Sequence, residues 1–281
     1  MKTWKKIVLG VSLISLFLGG GLVAWGYSQG GLTDLQNKTI SEQDYVKKEV
    51  DDFNKIDIKS SSYNVLIKNG DVDKATLSYY QKTKNPIDTS VKDGQLTIND
   101  NNSELDSTSN KHINFFGLKD LVRLSTLNEE VRNKTIVITL PKKQTIDFLK
   151  VDLATGNLDL SNSTIKQSDI NLNVGDLTFT KMIVSNLKAN LDVGSVDSDH
   201  TLFTNSDLSI AMGDYSGDNL IFNGHNKLDV TSGDIELALK DYTLNVQADS
   251  HSGEVDITNN LKISKDNTLT ITSDLGDITV E

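Results

Sequence analysis

Seven glycines, Gly156, Gly175, Gly194, Gly213, Gly233, Gly253 and Gly276, stand 19, 19, 19, 20, 20 and 23 residues apart. A period of this length marks a chain built from one small unit stacked on itself. Each glycine opens a pair in which a small or polar residue precedes an apolar or aromatic one: GNL, GDL, GSV, GDY, GDI, GEV, GDI. Three places before the first five glycines stand Leu153, Leu172, Leu191, Ile210 and Val230, and five places before stand Val151, Ile170, Ala189, Leu208 and Leu228. Two places after all seven stand Leu158, Leu177, Val196, Tyr215, Ile235, Val255 and Ile278. Apolar and polar residues therefore alternate on both sides of each glycine, the pattern of half-buried strands. A third apolar patch recurs about eight residues after the glycine, at Ile183, Leu202 and Ile221.

One such unit cannot bury its apolar face alone, whereas stacked units bury a continuous core. The pattern predicts an all-β fold, a β-solenoid or β-helix-like stack of 19–20-residue repeats over 151–281. Its coils would advance by roughly 4.8 Å each, with Gly-Asp steps supplying turns. An antiparallel meander or sandwich is the alternative, since evenly spaced strands with turn signals also build those. The regular period and the in-register Leu/Ile/Val columns favour the solenoid.

Residues 53–150 carry weaker echoes of the unit. IDIKSSSYNVLI (Ile56–Ile67) reads like the later LDVTSGDIEL with Ser in place of Gly, and VKDGQLTI and TIVITLPKKQTIDFLKVDLATG read as further strands. Between them, 99–134 breaks the pattern with a polar loop followed by Leu118, Leu121, Val122, Leu124, Leu127 and Val131 near helical spacing. This reads as an insertion with a short amphipathic helix. The bland role for it is a lid over strand edges; its Phe115, Phe116, Lys119 and Arg123 also suit a membrane surface or a partner. Residues 28–52 read as a polar stalk with a helical turn starting near Ser41.

Residues 7–27 are 21 residues without a charge, long enough to cross a hydrocarbon core of roughly 30 Å as a helix. Lys2, Lys5 and Lys6 precede the run, and Trp4, Trp25 and Tyr27 flank it. The expectation is a single transmembrane anchor with residues 1–6 cytoplasmic and the bulk of the chain extracytoplasmic. A cleaved signal peptide is the competing reading, but the run exceeds the usual apolar region of about 7–15 residues.

The net charge of −11 is unevenly spread. Residues 28–150 hold 18 basic and 18 acidic side chains, whereas 151–281 hold 7 Lys, no Arg and 21 Asp or Glu. That acidity argues against nucleic acid as a partner. The chain has no Cys, which excludes a disulfide framework, a thiolate zinc site and a Cys nucleophile.

With the anchor, the strand run IDIKSSSYNVLI, VKDGQLTI and IVITLPKK, and the ladder of Gly-Asp turns together, residues from about 50 to 281 resemble the bacterial β-strand-repeat "putative adhesin" family, domain of unknown function 4097. The resemblance implies a surface-exposed β-solenoid without catalysis, and some relatives occur in envelope-stress systems of Gram-positive bacteria. It transfers no site residues.

Candidate chemistry is sparse. The column after the glycines, Asn157, Asp176, Ser195, Asp214, Asp234, Glu254 and Asp277, would stack on one edge. It could recruit Ca²⁺, or simply serve Asx-type turns. A polysaccharide-cleaving β-helix enzyme would need clustered carboxylates with a cation; the repeat half has no Arg, and both Trp flank the anchor. His112, His200, His225 and His251 share no ligand spacing and read as isolated surface residues. No residue is thus assigned to catalysis, a cofactor or a metal, and the binding residues stay unknown at this stage. The expectation is a non-enzymatic, membrane-anchored surface-binding protein of the cell envelope. The alternative is an envelope-stress sensor or a component that sequesters cationic peptides, drawn in by the acidic half. A cytoplasmic stub of six residues would leave a sensor dependent on a membrane partner.

Overall fold

The computed structural model describes residues 43–82, 86–100, 134–258 and 260–281. Among them every regular element is a strand, and no helix is long and apolar enough to cross a membrane. The anchor expected at 7–27 and the helix expected at 118–131 lie outside the described residues.

The repeat half runs along three sides of a stack. The first side holds Phe148–Leu153, Ser168–Val174, Leu187–Val193, Asp207–Met212 and His225–Ser232. The second holds Leu158–Ser161, Leu177–Thr180, Val196–Asp199, the start of Tyr215–Asn223, and Ile235–Leu239. The third holds Thr145–Ile146, Thr164–Ile165, Ile183–Ser185, Leu202–Thr204 and the end of Tyr215–Asn223. Neighbouring coils pair in parallel, so that Leu153, Leu172, Leu191, Ile210 and Val230 fall opposite one another. All five are at most 2% exposed. This is solenoid pairing. Antiparallel pairing is seen where Asp88–Lys92 meets Gln95–Asn99 and where Thr76–Lys82 meets Thr135–Pro141, both at one end.

A coil of 19 residues must turn three times, and each corner is marked by positive φ. At the first corner Gly156, Gly175, Gly194, Gly213, Gly233 and Gly276 hold φ between 141° and 150°. A Cβ on Gly175, Gly194, Gly213, Gly233 or Gly276 would lie 1.9–2.1 Å from the carbonyl oxygen of the glycine stacked against it. Glycine is therefore required there twice, by backbone conformation and by contact. The second corner stacks Asn162, Lys181, His200 and Asn219 in the left-handed region, and the third stacks Asn186, Asn205 and Gly224. Asn tolerates that region through local hydrogen bonds.

The third apolar patch is present as the third side, with Ile183, Leu202 and Ile221 in register. Ile183 is 49% exposed, and the buried residues are the next ones along, Val184, Phe203 and Phe222. A one-residue shift turns every side chain to the other face. The inward column runs Ile146, Ile165, Val184, Phe203 and Phe222; Phe203 stacks on Phe222 at 5.7 Å and meets Phe179 of the second side edge to face at 5.3 Å. A correction concerns the stalk. Gln43–Glu49 is a strand beside Thr76–Lys82, and Val50 and Phe53 are buried. The folded body thus begins upstream of residue 53, and the helical turn expected near Ser41 is replaced by extended chain from Gln43 onward.

At both ends the order of coils in space departs from their order in sequence. Thr268–Leu275 lies between His225–Ser232 and Asn245–Ser252, and Ile278–Val280 lies between Ile235–Leu239 and Val255–Ile257. Likewise Lys55–Ser60 lies between Phe148–Leu153 and Gln95–Asn99, and Asn64–Gly70 between Leu158–Ser161 and Thr135–Pro141. Each end is built by a coil inserted beneath one nearer the middle of the chain. This gives the longer final spacing a cause: the chain must cross over the coil of Gly253 before it lays down that of Gly276.

Gly194→Ala sets a methyl group against the Gly175 carbonyl in a backbone region L-residues avoid. Denaturant unfolding should show a loss of about 3 kcal/mol or more; a loss below about 1 kcal/mol would mean that the coils slide apart freely.

Candidate functional site

The second side and its glycine corner collect the acidity of the repeat half. Parallel register places Asp159, Thr178, Asp197, Ser216, Glu236, Thr279 and Asp256 in one outward row. Acids and hydroxyls alternate along it. Beside the row runs the glycine-following column, whose side chains each accept a hydrogen bond from the backbone of the next coil. Asp176 N–H donates to Asn157 Oδ1 at 3.0 Å, Ser195 N–H to Asp176 Oδ1 at 3.0 Å, and Asp214 N–H to Ser195 Oγ at 3.4 Å. Asp234 N–H donates to Asp214 Oδ1 and Asp277 N–H to Asp234 Oδ1, both at 2.9 Å, and Glu254 N–H to Asp277 Oδ1 at 2.8 Å. The stacking expected from the sequence is present. Its carboxylates are engaged in holding coil to coil, by hydrogen bonds between successive coils rather than within one turn.

On the coils from Leu177 to Val280 these second-side strands and their corner carry no Lys or Arg. The first side is different. Its outward row reads Asp57, Lys150, Asp169, Lys188, Asp207, Lys227, alternating in sign at every rung. The adjoining row includes an amide ladder, with Asn171 Nδ2 donating to Asp152 Oδ1 and Asn190 Nδ2 to Asn171 Oδ1, each at 3.0 Å. The first side thus sets lysines among its acids, and the second has none.

At the same corner the residues just before the glycines line up as Val174, Val193, Met212, Ser232 and Leu275. Val193, Met212 and Leu275 are 38%, 59% and 56% exposed. An apolar ridge therefore runs beside the carboxylate column, a juxtaposition not anticipated from the alternation on either side of the glycines.

The histidines divide. His200 Nδ1 lies 2.6 Å from Asp199 Oδ1. One ligand atom from each of Asp199, His200 and Asp218 falls within 4.8 Å of the others, so these three, at the surface of the second corner, could hold a divalent cation. The 19-residue spacing of Asp199 and Asp218 was the available signal, since it equals the coil period. His225 Nδ1 meets Thr268 Oγ1 at 3.0 Å and His251 is exposed. His112 lies outside the described residues.

Asp159 departs from the acids in its row. It is 2% exposed, and among the described residues neither of its carboxyl oxygens nor the neighbouring Thr178 Oγ1 has a hydrogen-bond partner. Burial, with the nearby Asp176 charge as a smaller contribution, pushes its pKa up to about 8.

An all-β stack of parallel coils with a glycine corner and an acidic side defines a class of repeat protein. The model of the Toastrack DUF4097 family matches residues 53–281, and the chain belongs to that family. Similar solved structures include a "putative cell adhesion protein" from Clostridium sporogenes, at 16% identity over 85% of this chain and 99% of that one, with TM-score 0.32. A "putative adhesin" from Bacteroides fragilis is 15% identical over 85% and 97%, with TM-score 0.39. A "putative lipid binding protein" from Parabacteroides distasonis is 11% identical over 86% and 98%, with TM-score 0.36. No curated protein matches the chain.

Asp159 gives the fold a pH dependence of known sign. Its carboxyl is neutral in the folded chain below a pKa of about 8 and ionises near 3.8 when unfolded. The unfolded state therefore binds fewer protons between those values, and its stability advantage for the native state is lost as pH rises from about 4 to about 8. Melting temperature should fall across that window in the wild type, with a slope of at most about 1.4 kcal/mol per pH unit. Asp159→Asn should flatten it, and equal slopes in the two proteins would show that the carboxyl is solvated.

Proposed function

We propose that the protein is a non-enzymatic surface-binding module, held at the outer face of a cell membrane by residues 7–27, with the acidic second side as its contact surface. The observation that carries this reading is the segregation of charge. The first side pairs Asp with Lys at successive rungs, while the second side and its corner leave Asp214, Asp234, Glu236, Asp256 and Asp277 exposed with no Lys or Arg on the same strands. An uncompensated acidic face attracts cationic partners, and the attraction weakens with ionic strength. The apolar ridge of Val193, Met212 and Leu275 adds contact area at its margin. The same face supports the second reading, capture of cationic peptides in an envelope-stress response, in which a membrane partner would carry the signal inward.

An oligolysine probe added to the detergent-solubilised full chain tests the contact surface. Binding should weaken steeply with salt. It should drop several-fold when Asp214→Asn, Asp234→Asn, Glu236→Gln and Asp277→Asn are combined, since Asn retains an acceptor for the corner ladder. Removing the same number of acids from the first side, Asp57→Asn, Asp169→Asn, Asp207→Asn and Asp229→Asn, should leave binding nearly unchanged. Salt-independent binding, or equal losses from both faces, would overturn the assignment. Cell fractionation tests the anchor: the full chain should sediment with membranes and a chain lacking residues 1–27 should not.

A further inference from the structure

The two ends of the stack are finished differently. At the end bearing Gln43–Glu49 the core is sealed: Val50, Phe53, Ile87, Leu96 and Ile98 are at most 7% exposed. The rim strands there, Gln43–Glu49 and Asp88–Lys92, carry Lys47, Lys48, Glu49, Asp88 and Lys92, the charged edge that discourages pairing with another chain. At the opposite end the outermost strands are Asn245–Ser252 and Val255–Ile257. Among the described residues the first pairs only with Thr268–Leu275 and the second only with Ile278–Val280. Among the described residues no strand lies against their outer edges, the arrangement that accepts an added strand.

The side chains at this end are also incompletely covered. Val246, Ala248, Ile257 and Leu261 are half-buried, Val255 is 41% exposed and Ile263 is 86% exposed. One rung inward, Leu269, Ile271, Ile278 and Val280 are at most 1% exposed. A stack of coils needs a polar cap to remain solitary, and this end has an apolar rim instead.

We propose that the open end is a self-association surface, at which two copies of the chain meet about a two-fold axis with Asn245–Ser252 of one pairing antiparallel to the same strand of the other. An unpaired edge accepts an added strand through main-chain hydrogen bonds. The edges at the sealed end, Gln43–Glu49 and Asp88–Lys92, carry the charges that disfavour an added strand; open end therefore meets open end, which closes the assembly at two copies. Charge selects the register. With Ser250 on the axis, Asp249 stands opposite the partner's His251 and His251 opposite the partner's Asp249, both on the exposed face. With Asp249 on the axis, two carboxylates would stand opposite one another, which is unfavourable. In the Ser250 register Ala248 stands opposite the partner's Ser252, on the inner face of a sheet that now runs on into the second copy. The surface meets the acidic second side only at that side's last rung, Val255–Ile257, so the rest of the acidic face stays open on each copy of the dimer.

The absence of Cys from the chain makes the test direct. Full-length Asp249→Cys and His251→Cys proteins, each in detergent, are mixed under mild oxidation. The disulfide-linked product should exceed that formed by either protein alone several-fold, because the two positions face each other only across the axis. Sedimentation of the wild type at tens of micromolar should give a dimer. Ala248→Lys or Val255→Lys, which put a charge on the apolar end, should give a monomer with an unchanged circular dichroism spectrum. A monomeric wild type at that concentration, a ladder of higher oligomers, equal cross-linking in mixed and unmixed samples, or a dimer that survives both lysine substitutions would each overturn the proposal.

Discussion

The stack depends on one contact: the close approach of each corner glycine to a backbone carbonyl of the coil stacked against it, that of Tyr63 for Gly156 and of another glycine from Gly175 onward. A Cβ there would sit about 2 Å from that oxygen, far inside any allowed separation. Because the corner fits in only one registration, it fixes the phase of every coil. The Leu, Ile and Val columns on the two adjoining sides then fall into line, and burial follows. The column after the glycine reinforces the same phase, since each of its side chains reaches the next coil's N–H only when the corners are superposed. Slippage by one residue would expose the apolar columns and break these hydrogen bonds together.

That dependence explains what could be read from the sequence. The glycine corner requires a single residue type, so it left a period of 19–20, and with it the first and second sides. The second and third corners accept Asn, Lys, His or Gly in the left-handed region, and this tolerance hid them. Without a fixed corner on either flank, the phase of the third side stayed open: Ile183, Leu202 and Ile221 share the apolar character of Val184, Phe203 and Phe222, and alternation over two or three residues cannot decide between them. The exchange of coil order at the ends leaves only an irregular spacing in the sequence. It is a property of pairing, and local pattern carries no record of which coil lies above which.

The candidate site was half legible. The carboxylate column was visible as a column, but whether it would hold a cation or the backbone depended on the distance between successive coils. Asp159 was indistinguishable from the other acids of its row, because nothing local separates a buried outward position from a solvated one. The charge rows are the reverse case. Asp57, Lys150, Asp169, Lys188, Asp207 and Lys227 are unremarkable along the chain and become an alternating row only when the register is known.

The two faces solve the same electrostatic problem in different ways. Stacked coils bring equivalent positions within roughly 4.8 Å, where like charges at every rung repel. The first side answers with lysines. The outward row of the second answers with spacing: Asp197, Glu236 and Asp256 are separated by Ser216 and Thr279, so that the exposed acids of that row recur at every second rung, while the corner column beside it ties its carboxylates to backbone N–H groups. Two rungs are roughly 9.6 Å, close to a Debye length of about 8 Å at physiological ionic strength. Repulsion at that distance is largely screened, so the row tolerates its charge without internal cations. Its carboxylates therefore need no cation within the fold to be stable there. The field they produce is directed outward, where a partner's cations can meet it.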